Sequence, residues 1–390
     1  MMRLAFNATS LLSPLTGIGQ YSRQLALGLK RRNDIDASFF YGAAWQKEVR
    51  NEAMPGAATV LPWIRKHVPL SYTLRRFIQE HRFDAGTRLQ KFDVYHEPNI
   101  LPLPFDGPNV VTVHDLSWIR FPEMHPMERV RAMNKYFEPG LHRATVVLTD
   151  SEFVKREVVE TFGIDPERIQ PIPLGVESLF RPRSAHEIRA TLERNGLAYG
   201  KYLLAVGTLE PRKNLSLALR SYARLPERVR KHFPLVLVGM KGWLTSSLET
   251  QLAPMLQSGE VKQLGYLTRE ELAYVIAGAT SLVYPSVYEG FGLPPLEAMA
   301  SAVPVIASNV SSIPEVVGDT GILIDPLDVG AATDAMRSLI DDDNLREKLA
   351  LKALERSRDF TWEKCIDRTI QSYYQAIDAH PASTLNKITI

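Results

Sequence analysis

The stretch YEGFGLPPLEAMA, Tyr288–Ala300, places two glutamates, Glu289 and Glu297, eight residues apart. Between them stand two glycines and a double proline, residues that commonly end a strand and begin a helix. Either the two acids fall where solvent allows beside an ordinary turn, or both face one polar ligand. The remaining strands and helices of the chain are needed to decide between these two interpretations.

The composition is that of a globular protein, with 390 residues of which 45% are hydrophobic and 23% are charged. The formal charge of +2 creates no field that attracts nucleic acid, so we expect no nucleic-acid partner. Cys365 is the only cysteine, which excludes an internal disulfide and fits a reducing cytoplasm. No apolar run reaches transmembrane length, and the N-terminus lacks the core of a signal peptide. We therefore expect a cytoplasmic protein.

Apolar, β-branched runs alternate with helical patterns, which is typical of parallel sheets covered by helices. A turn-rich segment, PIPLGVESLFRPRS, separates two such series near residue 175. The predicted strands are 3–8, 37–42, 93–97, 110–115 and 145–151, then 202–207, 234–239, 261–265, 281–286, 304–308 and 321–326. These strands predict an α/β fold of two Rossmann-like doubly wound domains facing across a cleft, with ligands at the carboxyl ends of the strands.

The predicted domains follow from this pattern. The ranges are 1–175 for the first domain, 176–360 for the second, 361–380 for a helix returning to the first domain, and 381–390 for a tail. Helices are predicted over 20–30 and 151–161, and Ser151 is a favourable N-cap for the second of them.

The segment TGIGQYS, residues 16–22, follows the first predicted strand. Gly17 and Gly19 would let the backbone approach a ligand, and the helix predicted from Gln20 would direct N–H groups at it. A tight strand-to-helix turn explains the glycines equally well. A dinucleotide site is disfavoured because GxGxxG is incomplete and the second strand is not followed by the acidic residue that binds a ribose.

Two adjacent cations stand in GTLEPRKNL, residues 207–215, where a helix is expected to begin. Cations there oppose the positive end of the helix dipole, so Arg212 and Lys213 suit a bound anion such as a diphosphate. A solvated basic turn is the alternative. His114 ends the fourth predicted strand in VVTVHDLSW, and both a structural and a catalytic role stay open for it.

The two glutamates differ in setting. Glu289 precedes the turn, near the backbone N–H groups of Phe291, Gly292 and Leu293, and carboxylates beside amides suit the hydroxyls of a sugar. Glu297 falls in the following helix, where the dipole favours a negative charge without any ligand.

Together, GIGQY, VHD, GTLEPRKN and EGFGLPPLE with its E-x7-E spacing resemble the retaining glycosyltransferases of the GT-B fold, glycosyltransferase family 4. Within that family the chain is similar to bacterial mannosyltransferases that build surface polysaccharide. The resemblance runs from Arg3 to Ala376 and is strongest between Lys201 and Pro326. The linker departs from the family pattern, with PLGVE where NGVD is frequent.

The resemblance implies a role for each matching position. Arg212 and Lys213 would bind the donor diphosphate, and Glu297 would bind the ribose hydroxyls. Glu289, with the amides at 291–293, would bind the donor sugar. His114 would contact the transferred sugar near its reacting centre, so the implied catalytic residues are His114, Glu289, Arg212 and Lys213. The remaining implied donor-binding residues are Gly17, Gly19 and Gly207 for close backbone approach, and Leu264 and Tyr266 near the base.

The implied reaction is retaining transfer of mannose from GDP-mannose to a glycan or lipid-linked acceptor. Other donors (GDP-rhamnose, UDP-glucose, UDP-N-acetylglucosamine), an epimerase or phosphorylase of the same fold, and an inactive nucleotide-sugar-binding protein are the alternatives. We expect no cofactor and no metal, because fixed cations and helix dipoles can neutralise the leaving diphosphate. The acidic runs at 34–36 and 341–343 are interpreted as a remote loop and a solvated helix start.

Basic and aromatic residues alternate in LPWIRKHVPLSYTLRRFIQEHRF, residues 61–83. Such a surface could rest on an anionic membrane that carries a lipid-linked acceptor, which would make the protein peripheral on the inner face of the membrane. An ordinary solvated helix face is the alternative.

Overall fold

The computed structural model describes residues 1–12, 17–50, 71–240, 242 and 246–380. The described chain divides into two compact units. Unit 1 contains the described parts of Met1–Leu116, Glu128–Leu174 and Trp362–Ile390, and unit 2 contains Ser117–Met127 and the described parts of Gly175–Thr361. Residues 117–127 lie inside the range 1–175 given to the first domain from the sequence, yet they belong to unit 2.

The described strands of unit 1 form one sheet in the order β3-β2-β1-β4-β5-β6-β7, parallel except for the β2–β3 pair. Their bounds are β1 Met2–Asn7, β2 Ile35–Phe40, β3 Trp45–Gln46, β4 Val94–Glu97, β5 Asn109–Val113, β6 Val146–Thr149 and β7 Ile169–Pro171. All five strands predicted in this half are confirmed. The additional strands are β3, which has two residues, and β7, whose sequence IQP contains a glutamine and a proline, so neither shows an apolar run that would indicate a strand.

Helices alternate with these strands along the chain of unit 1. Their bounds are α1 Gly17–Lys30, α2 Ser71–Gln90, α4 Met127–Arg143, α5 Glu152–Phe162 and α15 Trp362–Ala379, while α3 Ser117–Arg120 belongs to unit 2. Ser151 caps α5 as predicted, because its side chain accepts a hydrogen bond from the Val154 amide. Helix α15 packs in unit 1, where the Tyr373 hydroxyl contacts His96 Nδ1 at 2.7 Å and Arg368 donates to the Pro171 carbonyl.

The described strands of unit 2 form a fully parallel sheet in the order β10-β9-β8-β11-β12-β13. Their bounds are β8 Leu203–Val206, β9 Leu235–Val238, β10 Val261–Gly265, β11 Ser281–Tyr284, β12 Val305–Ser308 and β13 Ile322–Ile324. All six predicted strands are confirmed. The chain order reverses between β8 and β11, which makes that pair the topological switch point of a doubly wound sheet.

The helices of unit 2 follow its strands. Their bounds are α6 Ala185–Arg194, α7 Leu215–Ala223, α8 Glu227–His232, α9 Ser246–Gln257, α10 Arg269–Ala277, α11 Leu293–Ala300, α12 Ile313–Val317, α13 Val329–Asp341 and α14 Asp343–Ser357. The buried core lies between the sheet and helices α7, α13 and α14, where it includes Leu217, Leu237 and Met336. Burial of such apolar surface is the main stabilisation of the unit.

Two sequence-based expectations need correction. Helix α1 begins at Gly17 rather than at Gln20, so both glycines lie in its first turn. In α2, Phe83 is fully buried and Arg76 is 8% exposed, so these two residues of the range 61–83 are not surface residues. Arg76 donates to the Leu101 carbonyl and pairs with Glu80. Residues 61–70 lie outside the described chain.

No helix among the described residues is both long and apolar enough to cross a membrane.

Candidate functional site

The switch point of the unit 2 sheet brings the two most informative sequence segments together. Strand β8 pairs with β11, so the loops that leave their carboxyl ends start side by side. The loop after β8 ends in a 3₁₀ turn, Pro211–Lys213, and the loop after β11 contains Glu289. The Val287 amide donates to the Arg212 carbonyl at 2.9 Å, which fastens the two loops to each other.

Arg212, Lys213 and Glu289 are in direct contact. The Arg212 guanidinium donates to Glu289 Oε2 at 2.8 Å and to the Tyr288 carbonyl at 2.7 Å. Lys213 Nζ donates to Glu289 Oε1 at 2.6 Å. The side chains of the two cations are 13% exposed and that of the acid is 9% exposed, so these are partly desolvated, charge-assisted pairs. The cations and the acid that the sequence singled out therefore share one place.

Two further residues contact this group and were not identified as site residues from the sequence. The Tyr284 hydroxyl donates to Glu289 Oε1 at 2.8 Å and accepts from Lys213 at 3.0 Å. Glu210 accepts from Arg212 at 2.7 Å. Tyr284 ends β11 and Glu210 directly precedes the 3₁₀ turn, so their positions beside the site were the available signal. We call Glu210, Arg212, Lys213, Tyr284 and Glu289 the ion-pair group.

The electrostatics of the ion-pair group favour the ionised form of Glu289. Burial opposes ionisation of Glu289, but Arg212 and Lys213 outweigh it and lower the pKa of that carboxyl to about 2. Burial lowers the pKa of Lys213, and the carboxylate of Glu289 acts against that shift. At neutral pH the surroundings therefore stabilise the ionised form of Glu289.

The segment after Glu289 is held by hydroxyl groups and by a glycine. The Glu289 amide donates to Ser311 Oγ at 3.0 Å, and the Ser312 hydroxyl donates to the carbonyls of Glu289 and Phe291. Gly292 has φ +132°, and a Cβ there would lie 2.9 Å from the side chain of Ile313. Helix α11 then begins at Leu293, with proline in its first turn as predicted.

Glu297 belongs to a different set of ion pairs. It is 3% exposed on α11 and accepts from Arg269 at 2.8 Å. Arg269 also donates to Glu177 at 3.0 Å, and its guanidinium lies 4.6 Å from the ring centre of Phe180. Burial raises the pKa of Glu297, and Arg269 opposes that shift. The sequence did not single out Arg269 or Glu177, which come from the first position of α10 and from the segment after residue 175.

Glycines end three neighbouring strands of unit 2. Gly207 follows β8 with φ +151°, and Gly239 follows β9 with φ +150°. A Cβ on Gly239 would lie 1.9 Å from the Gly207 carbonyl oxygen, so a side chain there is excluded by the backbone. Gly239 donates to the carbonyl of Gly265, the last residue of β10. Leu264 precedes Gly265 and is partly buried, and Tyr266 follows it and is 52% exposed.

His114, in unit 1, directly follows β5 and is 6% exposed. Its Nδ1 faces Asp150 Oδ2 at 2.7 Å and its Nε2 faces the Pro98 carbonyl at 2.8 Å. Burial disfavours the charge, but the Asp150 carboxylate and the Pro98 carbonyl raise the pKa of His114 above its ordinary value. Both ring nitrogens face fixed oxygen acceptors, to which the protonated imidazole can donate on both sides. The Asp150 partner, at the end of β6, was not recognised from the sequence.

The other residues predicted in unit 1 lie in the first turn of α1, and the switch point of this unit lies between β1 and β4. Gly17 is exposed and Gly19 is buried in the first turn of α1. Asn7, the last residue of β1, donates to Glu97, the last residue of β4, at 2.6 Å. Burial raises the pKa of Glu97 to about 7, although Tyr95 and Asn7 donate hydrogen bonds to it.

Aspartates of the acidic runs at 34–36 and 341–343 pair with cations or cap a helix. Asp34 pairs with Arg32 at 3.1 Å, and Asp36 pairs with Lys47. Asp342 caps α14 by accepting from the Leu345 amide. Among the residues that the structure describes, no group of three or more His, Cys, Asp or Glu side chains could hold a metal ion.

Two glycosyltransferase family models match this chain, one in each half. A family model described as glycosyl transferases group 1 matches residues 191–356, and one described as glycosyltransferase family 4 matches residues 15–178. A solved structure of sucrose-phosphate synthase from Thermosynechococcus elongatus has a TM-score of 0.75 at 21% identity, covering 97% of this chain and 100% of that one. This likeness identifies the fold as GT-B.

Two relatives in sequence are Escherichia coli proteins. The O-antigen chain mannosyltransferase B is 37% identical over 95% of this chain and 99% of its own length. The serotype-specific mannosyltransferase WbdA is 27% identical over 74% of this chain and 36% of its own length. On these matches, and with cations and acids gathered at the switch point of unit 2, the chain belongs to glycosyltransferase family 4.

Proposed function

We propose that this glycosyltransferase transfers mannose from GDP-mannose to a glycan or lipid-linked acceptor in cell-surface polysaccharide synthesis, with retention of the anomeric configuration. The observation that carries the proposal is the direct contact of Arg212 and Lys213 with Glu289 at the switch point of unit 2. The choice of mannose rests on the similarity to O-antigen chain mannosyltransferase B over nearly its full length.

Unit 2 provides chemistry for each part of a nucleotide sugar. Arg212 and Lys213 would bind the diphosphate, for which a planar fork and a point charge are complementary ligands. Glu289, with the amides of Phe291, Gly292 and Leu293, would bind hydroxyls of the sugar. Backbone held in place by Ser311 and Ser312 supports that role, because preorganised donors lose little freedom when a ligand binds.

Glu297 would bind the ribose hydroxyls, and Leu264 and Tyr266 would lie near the base. The buried position of Glu297 against Arg269 supports a fixed carboxylate. Gly207 would let the backbone approach the diphosphate, since its conformation suits glycine. In unit 1, Gly17 and Gly19 would approach a phosphate and His114 would contact the transferred sugar. His114 already uses both ring nitrogens, so a nitrogen contact would require the loss of one present bond.

The proposed mechanism uses fixed cations and no metal. Negative charge grows on the diphosphate as the glycosidic bond breaks, and positive groups already in place stabilise it. Glu289 is engaged by two cations, so it is assigned to binding rather than to a covalent intermediate. Retention then follows from attack on the face that the diphosphate leaves, with a phosphate oxygen taking the acceptor proton.

The donor is tested with the purified protein, a lipid-linked glycan acceptor and a panel of nucleotide sugars. We expect a product only with GDP-mannose, of the same anomeric configuration as the donor by NMR, and activity that persists in EDTA. Transfer from UDP-glucose in preference to GDP-mannose would contradict the donor, an inverted product would contradict the stereochemistry, and complete loss in EDTA would contradict the metal-free mechanism.

We also propose that the protein is cytoplasmic and binds the inner face of the membrane through the outer face of α2. Phe77, Ile78 and Leu89 are exposed on this helix, and Arg82 is exposed among them. Apolar side chains beside a cation suit an anionic lipid surface.

Vesicle flotation tests the membrane proposal. We expect the wild type to float with vesicles of phosphatidylcholine and phosphatidylglycerol but not with phosphatidylcholine alone, and Phe77→Ser with Ile78→Ser to weaken that binding. Leu351→Ser is the matched control, since Leu351 is an exposed apolar residue on α14. Equal flotation of the double variant and the wild type would refute the assignment to α2.

A further inference from the structure

The ion-pair group has balanced charge before any ligand binds. Glu289 accepts from Arg212 on one carboxylate oxygen and from Lys213 on the other, at 2.8 and 2.6 Å. Arg212 also pairs with Glu210 at 2.7 Å. These ion pairs thus join two cations to two carboxylates. An incoming phosphate meets cations that are already engaged, so it must share or displace Glu289.

We infer that Glu289 competes with ligand phosphates for Arg212 and Lys213, and that a sugar attached to the diphosphate relieves this competition by donating its hydroxyls to Glu289. The inference rests on the proposed function, namely that unit 2 binds a nucleotide sugar. Its consequence is specificity: the site favours a nucleotide sugar over the nucleoside diphosphate that remains after transfer.

The physical reason is the cost of a buried carboxylate without donors. Glu289 is 6% exposed, so bulk water cannot replace the hydrogen bonds that it receives from the two cations. When a bare diphosphate takes Arg212 and Lys213, Glu289 loses both charged donors and keeps only neutral ones, among them the Tyr284 hydroxyl. When a sugar accompanies the diphosphate, its hydroxyls supply the missing hydrogen bonds. After transfer the sugar has gone, Glu289 recovers its cations, and the diphosphate is released more readily.

A purely structural role for Glu289 leads to the opposite expectation. If the acid only held Arg212 and Lys213 in position, removal of its charge would loosen both cations and weaken every diphosphate ligand. If it competes with phosphate, removal of its charge strengthens binding of the diphosphate alone. The direction of the change therefore distinguishes the two roles.

Calorimetric titration of GDP and GDP-mannose into the wild type, Glu289→Gln and Glu289→Asp is the test. We expect Glu289→Gln to bind GDP about tenfold more tightly than the wild type, within the usual range of coupling between two bound groups. The affinity of this variant for GDP-mannose should not increase. The ratio of its affinities for GDP-mannose and GDP should therefore be smaller than in the wild type. Glu289→Asp retains the negative charge, so it should bind GDP less tightly than Glu289→Gln. Glu347→Gln, an exposed acid on α14, controls for net charge.

A second measurement uses only the wild type, in case Glu289→Gln does not fold. Free mannose at saturating concentration should increase the affinity for GDP, because its hydroxyls can occupy Glu289. Unchanged or weaker GDP binding by a folded Glu289→Gln, or no effect of mannose on the wild type, would overturn the inference. If the wild type binds neither GDP nor UDP, with or without the attached sugar, the proposed function itself fails, and the inference fails with it.

Discussion

Each sheet carries a buried glutamate at its switch point, and the two glutamates have opposite electrostatics. Glu97 ends β4 in unit 1 and accepts from the neutral groups of Asn7 and Tyr95. Glu289 follows β11 in unit 2 and accepts from Arg212 and Lys213. The pKa is about 7 for the first carboxyl and about 2 for the second.

Burial and topology therefore do not fix the charge of such a site. Both acids are almost fully buried, with exposures of 1% and 6%. The hydrogen bonds from Tyr95 and Asn7 and the charge of Arg76 only partly offset the desolvation of Glu97, whereas two cations in direct contact more than offset that of Glu289. A doubly wound sheet provides the place for a ligand, and the charged residues of its loops determine which ligand chemistry the place suits.

The largest expected effect is on the stability of unit 2. Glu289→Ala leaves Lys213 buried without its carboxylate partner, which should lower the free energy of unfolding by about 3 to 5 kcal/mol. Denaturant titration measures this value, and Glu347→Ala on the surface of α14 should change it little. A loss no greater than that of the control would mean that the ion pairs contribute nothing to folding.

Catalysis should depend on the cations of unit 2. Arg212→Ala combined with Lys213→Ala removes the groups that would neutralise the diphosphate, so kcat should fall by about 10² or more. The measurement is the initial rate with the donor that the wild type uses. Arg189→Ala with Lys348→Ala removes the same charges from exposed positions of unit 2 and serves as the control. Near-normal turnover of the first variant would refute the phosphate assignment.

The raised pKa of Glu97 predicts a pH dependence in unit 1. The folded protein keeps the proton to about pH 7, whereas the unfolded chain loses it near the ordinary value of 4.5. Stability from this group is therefore lost as the pH rises between those values. The wild type should lose on the order of 2 kcal/mol between about pH 5 and about pH 8 relative to Glu97→Gln. Parallel stability curves for the two proteins would contradict the raised pKa.

The smallest effect is expected at the contact between His114 and Asp150 in unit 1. The pKa of His114 is raised, so the stability it contributes is present below its ordinary value of 6.5 and is lost as the pH rises through the raised value. Asp150→Asn should cost about 1 to 2 kcal/mol at low pH and less at high pH. Denaturant titration at both ends of that range measures the difference. The same cost at both ends would show that His114 is neutral throughout.

Local signals in the sequence were sufficient for eleven of the thirteen described strands, all except β3 and β7. Strands rich in β-branched residues, the N-cap Ser151 and the prolines that open α11 depend on neighbours along the chain, and all were predicted. The positions of Arg212, Lys213 and Glu289 after parallel strands also predicted that they would meet, because such strands end at one edge of a sheet.

Other contacts between distant segments were decided by the tertiary structure alone. Arg269 pairs with Glu297 across 28 positions of the sequence, His114 with Asp150 across 36, and Lys213 with Tyr284 across 71. Burial of Arg76 and Phe83 likewise depends on what packs against α2. The ionisation of Glu97 and Glu289 is the clearest case, since a glutamate has the same intrinsic pKa everywhere, and only the groups packed around it determine whether it carries a charge.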